Sequence, residues 1–293
     1  YKLFPRTSKT FPVNMRKNVI GAILLCSLAA LCNADCPAPP KHYSELGCKP
    51  IKDQGYDCPN RYDCTTLRKR DNQKCHFNGN SYEPGTSLSD DDQALVPCSP
   101  ACRCMNYSSP ASFNCATNEC PEFFRRKENC IYQYTKGQCC TTGPAICGKK
   151  IEELGKCHLE GKLYREGEPM FPEKNSCYKC HCKQGFDNST VVGNPNCYEI
   201  NCGIELRNAE RLALGCIPVY FGNDRCCPIS WRCPEDKDTI IEEGPRSVQD
   251  SKMQCKFGKL TMGVGDSISS EDKCVSCKCT IPPMAQCVQS RDC

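Results

Sequence analysis

The chain has 293 residues, 32 of them cysteine, with 39% hydrophobic and 25% charged residues and 10 Phe and 1 Trp set against 22 Pro and 20 Gly. An enzyme domain of this length needs a large aliphatic core that this composition does not supply, so cross-links must stand in for it. So many thiols also exclude a reducing compartment unless they carry metal, and the formal charge of +4 raises a nucleic-acid reading that the first segment removes.

Residues 1–14 precede Met15 and read as translated upstream sequence outside the native protein, because the chain opens on Tyr1. Met15 is followed by Arg16 and Lys17, a 13-residue apolar run over 19–31, and Cys32-Asn33-Ala34. That is the layout of a secretory signal peptide, 15–34, cleaved between Ala34 and Asp35. The run is too short to remain as a membrane span, and no other segment approaches the roughly 20 apolar residues a span needs. Residues 1–34 hold Lys2, Arg6, Lys9, Arg16 and Lys17 and no acidic residue, so the 38 basic residues fall to 33 against 34 acidic, a net charge of −1. The sustained basic face that nucleic acid requires goes with them. Cys26 and Cys32 also leave, and the remaining 30 cysteines are an even number, as full pairing in a secreted chain demands.

The mature chain repeats. Cysteines fall at 75, 98, 102, 104, 115, 120, 130, 139, 140 and 147, and again at 157, 177, 180, 182, 197, 202, 216, 226, 227 and 233. Each set runs from a long gap to a tight triplet, then medium gaps, an adjacent pair and a last cysteine, so 75–147 and 157–233 are two copies of a ten-cysteine module. Segment 255–293 matches the first six positions with Cys255, Cys274, Cys277, Cys279, Cys287 and Cys293. Segment 35–64 matches the sixth, seventh, ninth and tenth with Cys36, Cys48, Cys58 and Cys64, and has Asp57 at the eighth. Ten residues after the first cysteine stands Gly85, Gly167 or Gly265, and three further on Leu88, Met170 or Ile268. A glycine followed at fixed offset by one apolar residue predicts a tight turn into a strand with one inward side chain. Gly79 with Tyr82 and Gly161 with Tyr164 also share their offsets.

Short strands, including 189–192, are expected in the first lobe and loops in the second, with a turn or two of helix over 204–214. Linkers are read at 65–74, where Arg68-Lys69-Arg70 is taken as a solvated run rather than a processing site, and at the charged stretch 234–254. Trp231, at the place of Tyr62 in Cys58-Pro59-Asn60-Arg61-Tyr62-Asp63-Cys64, is assigned to packing, with a binding anchor as the sharper alternative. Asn106 and Asn188 head glycosylation sequons. His42, His76, His158 and His181 form no catalytic motif, and there is no nucleophile elbow or phosphate loop, so no catalytic residue and no cofactor is expected. Thiolate clusters holding zinc or copper are the chemical rival; secretion favours disulfides, and no metal site is expected.

With its Cys-Tyr-Lys-Cys-His-Cys run at 177–182 and Cys226-Cys227 pair, the module resembles the von Willebrand factor type C domain of chordin-like and kielin-like secreted proteins. Where that family often has an aromatic after the glycine, this chain has Leu88, Met170 and Ile268. The resemblance implies a small disulfide-rich protein of tandem modules in an elongated array, each a short antiparallel β lobe and a loop-rich disulfide lobe. It also implies the pairing first to fourth, second to eighth, third to fifth, sixth to ninth and seventh to tenth. That gives Cys75-Cys104, Cys98-Cys139, Cys102-Cys115, Cys120-Cys140 and Cys130-Cys147 in one module. The other receives Cys157-Cys182, Cys177-Cys226, Cys180-Cys197, Cys202-Cys227 and Cys216-Cys233. The halves receive Cys36-Cys58, Cys48-Cys64, Cys255-Cys279 and Cys277-Cys287. Cys274 and Cys293 lose their partners and either bridge each other or belong to a chain that continues.

In function the resemblance implies a secreted extracellular protein, not an enzyme, that binds another protein, a cystine-knot growth factor of the bone-morphogenetic-protein or TGF-β type. A structural matrix protein or a secreted effector such as a protease inhibitor is the alternative. Met170, Phe171, Val191 and Val192 are the candidate contacts, with a place in the small core as the competing assignment. No nucleic acid and no membrane span are expected.

Overall fold

The computed structural model describes residues 36, 39–222, 224, 226–243, 252–270 and 272–293. The upstream and signal segments, and 244–251 of the second linker, lie outside the described residues.

Segment 36–64 carries helix α1 (Lys41–Glu45) and the pair β1 (Lys49–Ile51) and β2 (Arg61–Asp63), followed by the helical turn α2 (Thr65–Arg68). Segment 75–147 carries β3 (Cys75–Phe77), β4 (Asn80–Tyr82), α3 (Asp90–Leu95), β5 (Arg103–Met105), β6 (Ser112–Asn114), α4 (Pro121–Phe124), β7 (Cys130–Ile131) and β8 (Ile146–Cys147). Segment 157–233 carries β9 (Lys156–Leu159), β10 (Lys162–Arg165), β11 (Pro169–Met170), β12 (Tyr178–His181), β13 (Cys197–Glu199), α5 (Ile204–Ala213), β14 (Ile217–Phe221) and β15 (Ser230–Arg232). After β16 (Ile240–Ile241), segment 255–293 carries β17 (Gln254–Phe257), β18 (Leu260–Gly263), β19 (Ser267–Ile268), β20 (Val275–Lys278) and β21 (Gln286–Gln289). The result is a disulfide-rich chain of small, mostly antiparallel sheets with few and short helices.

The first lobe is built the same way three times. A hairpin opens it, with Cys75 opposite Tyr82, Cys157 opposite Tyr164 and Cys255 opposite Met262. Asn78-Gly79 and Glu160-Gly161 both take positive φ, which a two-residue turn of the I′ kind requires. The third hairpin has Gly258 alone at positive φ in the first turn position, the II′ solution. Two residues past the first cysteine, Phe77, Leu159 and Phe257 are buried.

Gly85, Gly167 and Gly265 then turn at φ between +88 and +100. Each donates its N–H to the carbonyl of the fourth cysteine at 2.8 Å, and the fourth cysteine returns a bond to Thr86, Glu168 or Asp266. The expected inward side chains, Leu88, Met170 and Ile268, are all buried.

Cysteine sulfur supplies much of what a core would. In every copy the first-to-fourth bridge spans 5.6–5.7 Å between Cα atoms, and the third-to-fifth bridge 3.9–4.0 Å. The shorter bridge crosses facing antiparallel strands, as in Cys180 opposite Cys197 and Cys277 opposite Cys287. Fourteen bridges join described cysteines, among them Cys274 to Cys293. Cys36 and Cys58 are disulfide-bonded as well. Closing loops of this size is worth on the order of 3 kcal/mol each in the chain-entropy model.

The segments from 39 to 293 belong to one compact unit. The cause is a set of contacts between segments far apart in the chain. β14 pairs in parallel with β21, which places the second lobe of 157–233 and the first lobe of 255–293 in one six-stranded sheet, β15-β14-β21-β20-β19-β16. Tyr43, stacked on Tyr62 at 4.2 Å, donates its hydroxyl to Ile281 O at 2.6 Å and accepts from Met284 N at 3.0 Å.

Both linker segments make contacts with the rest of the fold, and Arg68 and Lys69 of the basic triplet are exposed. Ile240 lies opposite Ile268 in the sheet, and Arg70 of the basic triplet forms an ion pair with the buried Glu205 rather than extending into solvent. Helix α5 covers most of 204–214, with a break at Asn208. Its first turn is capped from another segment: Glu45 accepts Cys202 N at 2.5 Å and Ile204 N at 3.2 Å.

Candidate binding surface

The four candidate contacts separate by burial. Met170 lies in β11 opposite Cys180 with its side chain fully buried, and the next residue, Phe171, is 57% exposed. Val191 is buried and Val192 is 58% exposed. Met170 and Val191 therefore belong to the core of the lobe with Leu159, Cys180 and Cys182, and Phe171 and Val192 are left on the surface.

The expected strand at 189–192 is absent. Asp187 Oδ1 accepts Ser189 N at 2.9 Å, Asn194 donates to Asp187 O at 2.7 Å and to Thr190 O at 3.1 Å, and Gly193 takes positive φ. These local side-chain bonds satisfy the backbone and compete with a ladder.

Phe171 sits at a junction of two segments. The Lys179 ammonium lies 5.8 Å from the Phe171 ring centroid and 5.7 Å from that of Tyr134, a residue of segment 75–147. Such placement over two aromatic faces is attractive in itself. Burial holds the Lys179 amine below its usual range.

Tyr134 N donates to Gly167 O at 2.8 Å, and Lys136 Nζ donates to Cys197 O at 3.3 Å. A Cβ at Gly167 would come within 2.9 Å of the Gln133 Cα, so the positive-φ glycine is also the point where the second segment touches the turn. Behind Lys179, the His181 ring is buried and stacked on Tyr198 at 5.9 Å. Burial, and then the Lys179 charge, lower its pKa to about 4.

Sequence reasoning passed over Phe123 and Phe124, which are 70% and 72% exposed on α4. That single turn starts on Pro121 and points Glu122 inward, where it accepts Thr141 N at 2.9 Å. One helical turn with an inward carboxylate has no face left for two adjacent phenylalanines. The legible signal was Pro-Glu-Phe-Phe itself, a helix start followed by two aromatics.

Asn106 and Asn188 are exposed, and Asn188 lies in the same loop as Val192. Trp231 is half-buried and packs against the cluster of Tyr43, Leu46, Tyr62 and Ile204, as a packing residue should. Of the histidines, His42 is buried with Nδ1 2.7 Å from the Tyr220 hydroxyl, and His76 bonds Ser81 and the Asp71 carbonyl. Among the described residues, two groups of three cysteines, Cys120/Cys139/Cys140 and Cys202/Cys226/Cys227, each have their sulfurs within 4.8 Å of one another, and all six are disulfide-bonded. Among the described residues no helix is long and apolar enough to cross a membrane.

No protein-family model matches the chain, and no solved structure matches it.

Proposed function

We propose that this is a secreted extracellular binding protein built from von Willebrand factor type C-like modules, and that it captures a cystine-knot growth factor of the bone-morphogenetic-protein or TGF-β type. The observation that carries the reading is Phe171. It is an exposed aromatic directly after β11, whose last residue Met170 is fully buried, in a lobe tied by Cys157-Cys182 and Cys180-Cys197. An aromatic anchor fixed in this way costs little conformational entropy to immobilise, and aromatic anchors dominate binding energy at protein interfaces. Val192 adds apolar surface in the same lobe, and a glycan on Asn188 would bound it. Extensive disulfide bonding fits an extracellular site of action.

The test is surface-immobilised binding of the full chain to a panel of dimeric cystine-knot growth factors. Saturable binding below about micromolar Kd is expected for at least one of them, weakened about tenfold or more by Phe171→Ala at unchanged melting temperature. Absence of binding to the whole panel at micromolar concentration overturns the growth-factor reading and leaves a matrix or effector role.

A further inference from the structure

The segments form an open-sided cavity that the growth-factor reading does not use. Its volume is about 350 Å³, in the range of small-molecule sites and more than twice the ~150 Å³ apolar cavity that takes up benzene. The walls are Leu67 of α2, Ala209 and Leu212 of α5, Ile217 of β14, and Pro283 and Met284 of the last segment.

Its charged lining is unbalanced: Arg68, Arg70, Lys74 and Lys256 against Asp71 and Glu205. Arg70 and Glu205 neutralise each other in an ion pair and Lys74 pairs with Glu83, which leaves Arg68 and Lys256 against Asp71. Lys74 is committed to Glu83 at 2.5 Å and Lys256 donates to Thr261 at 2.5 Å; Arg68 and Lys256 are exposed and can swing to a ligand. His76 adds a ring whose Nε2 lies 3.0 Å from the Asp71 carbonyl.

We infer that this cavity binds one acidic amphiphile, an apolar body the size of a medium-chain fatty acid seated on Leu67, Leu212, Ile217 and Met284, with its carboxylate held by Arg68 and Lys256. A neutral apolar molecule leaves the cationic edge unused, and an amine meets like charge. Because the walls come from segments joined only by folding, a bound ligand stabilises their association by mass action.

The full chain, purified with its disulfides intact, is titrated with monomeric decanoate by calorimetry and by emission of Trp231. That residue packs against the same apolar cluster as the cavity-lining Leu212 and Met284. One saturable site is expected, with decanol and decylamine binding about tenfold more weakly or worse. The exposed-residue double variant Arg68→Glu/Lys256→Glu should lose at least about tenfold in decanoate affinity. Ala209→Phe, which fills the cavity, should abolish binding; its melting curve reports whether it folds, and the charge variant carries the test if it does not. The inference is overturned by the absence of saturable binding at about millimolar decanoate, by equal affinity for decanol, or by unchanged affinity in the charge variant or in folded Ala209→Phe.

Discussion

Arg70→Met tests whether the basic triplet is a linker or part of the core. Glu205 has a side chain only 3% exposed, and its partners are Arg70 and the Asn78 N–H at 2.8 Å. Removing one member of a buried pair leaves an uncompensated charge and costs 3–5 kcal/mol as a rule. The Arg70 side chain is itself 20% exposed, so water partly replaces it, which puts the loss at the low end, about 3 kcal/mol.

The loss should depend on pH in a definite direction. Burial already raises the Glu205 carboxyl, and Arg70 is the main influence pulling it back; without Arg70 it rises further. A carboxyl whose folded pKa lies above its unfolded value of about 4.3 contributes fully below that value and loses its contribution as pH rises through the folded pKa. The deficit of Arg70→Met is therefore smallest near pH 4 and grows towards pH 7.

Guanidinium denaturation with disulfides intact at both pH values measures this, and hydrogen exchange at the Asn78 amide reports the site locally. Adding Glu205→Gln should recover much of the deficit, since a neutral amide needs no cation. A deficit below about 0.5 kcal/mol at pH 7, the size of an ordinary surface substitution, would refute the reasoning. So would an equal deficit at both pH values, or a double variant whose losses simply add.

Met170→Ala should cost about 2–5 kcal/mol by opening a cavity in the lobe core, and Phe171→Ala about 0.5 or less, a contrast thermal melting reads directly. Glu45→Ala removes the carboxylate that accepts the Cys202 and Ile204 amides and should cost about 0.5–2 kcal/mol, with faster hydrogen exchange confined to the start of α5. His181 has a folded pKa of about 4, below its unfolded value, so its contribution is present above the unfolded pKa and lost as pH falls towards 4. His181→Gln should flatten the melting temperature between pH 6.5 and pH 4 relative to the parent, and parallel profiles would remove that assignment.

Much of the local structure was legible because it is written in short-range rules. Gly85, Gly167 and Gly265 mark turns, since only glycine takes their φ without strain, and Leu88, Met170 and Ile268 follow at an offset that a strand turns inward. The helix over 204–214 was visible in its apolar spacing. The misreading of 189–192 has the same local origin: β-branched residues suggested a strand, and Asp187 and Asn194 side chains satisfied the backbone first.

Within the candidate surface, the chain showed that apolar residues cluster at 170–171 and 191–192. It did not show which member of each pair turns inward, because only the packed lobe decides that. Phe123 and Phe124 escaped for a similar reason, since their exposure depends on Glu122 being drawn inward.

What the sequence determined alone is a disulfide-dependent chain with one first-lobe pattern written three times, because cysteine count, glycine position and hairpin turn act over a few residues. What only the tertiary structure decided is how those units meet: β14 beside β21, Tyr43 against Ile281 and Met284, Arg70 on Glu205, and the open-sided cavity they form. Such contacts join residues more than sixty positions apart and depend on shape and burial rather than on spacing, so no local pattern in the chain announces them.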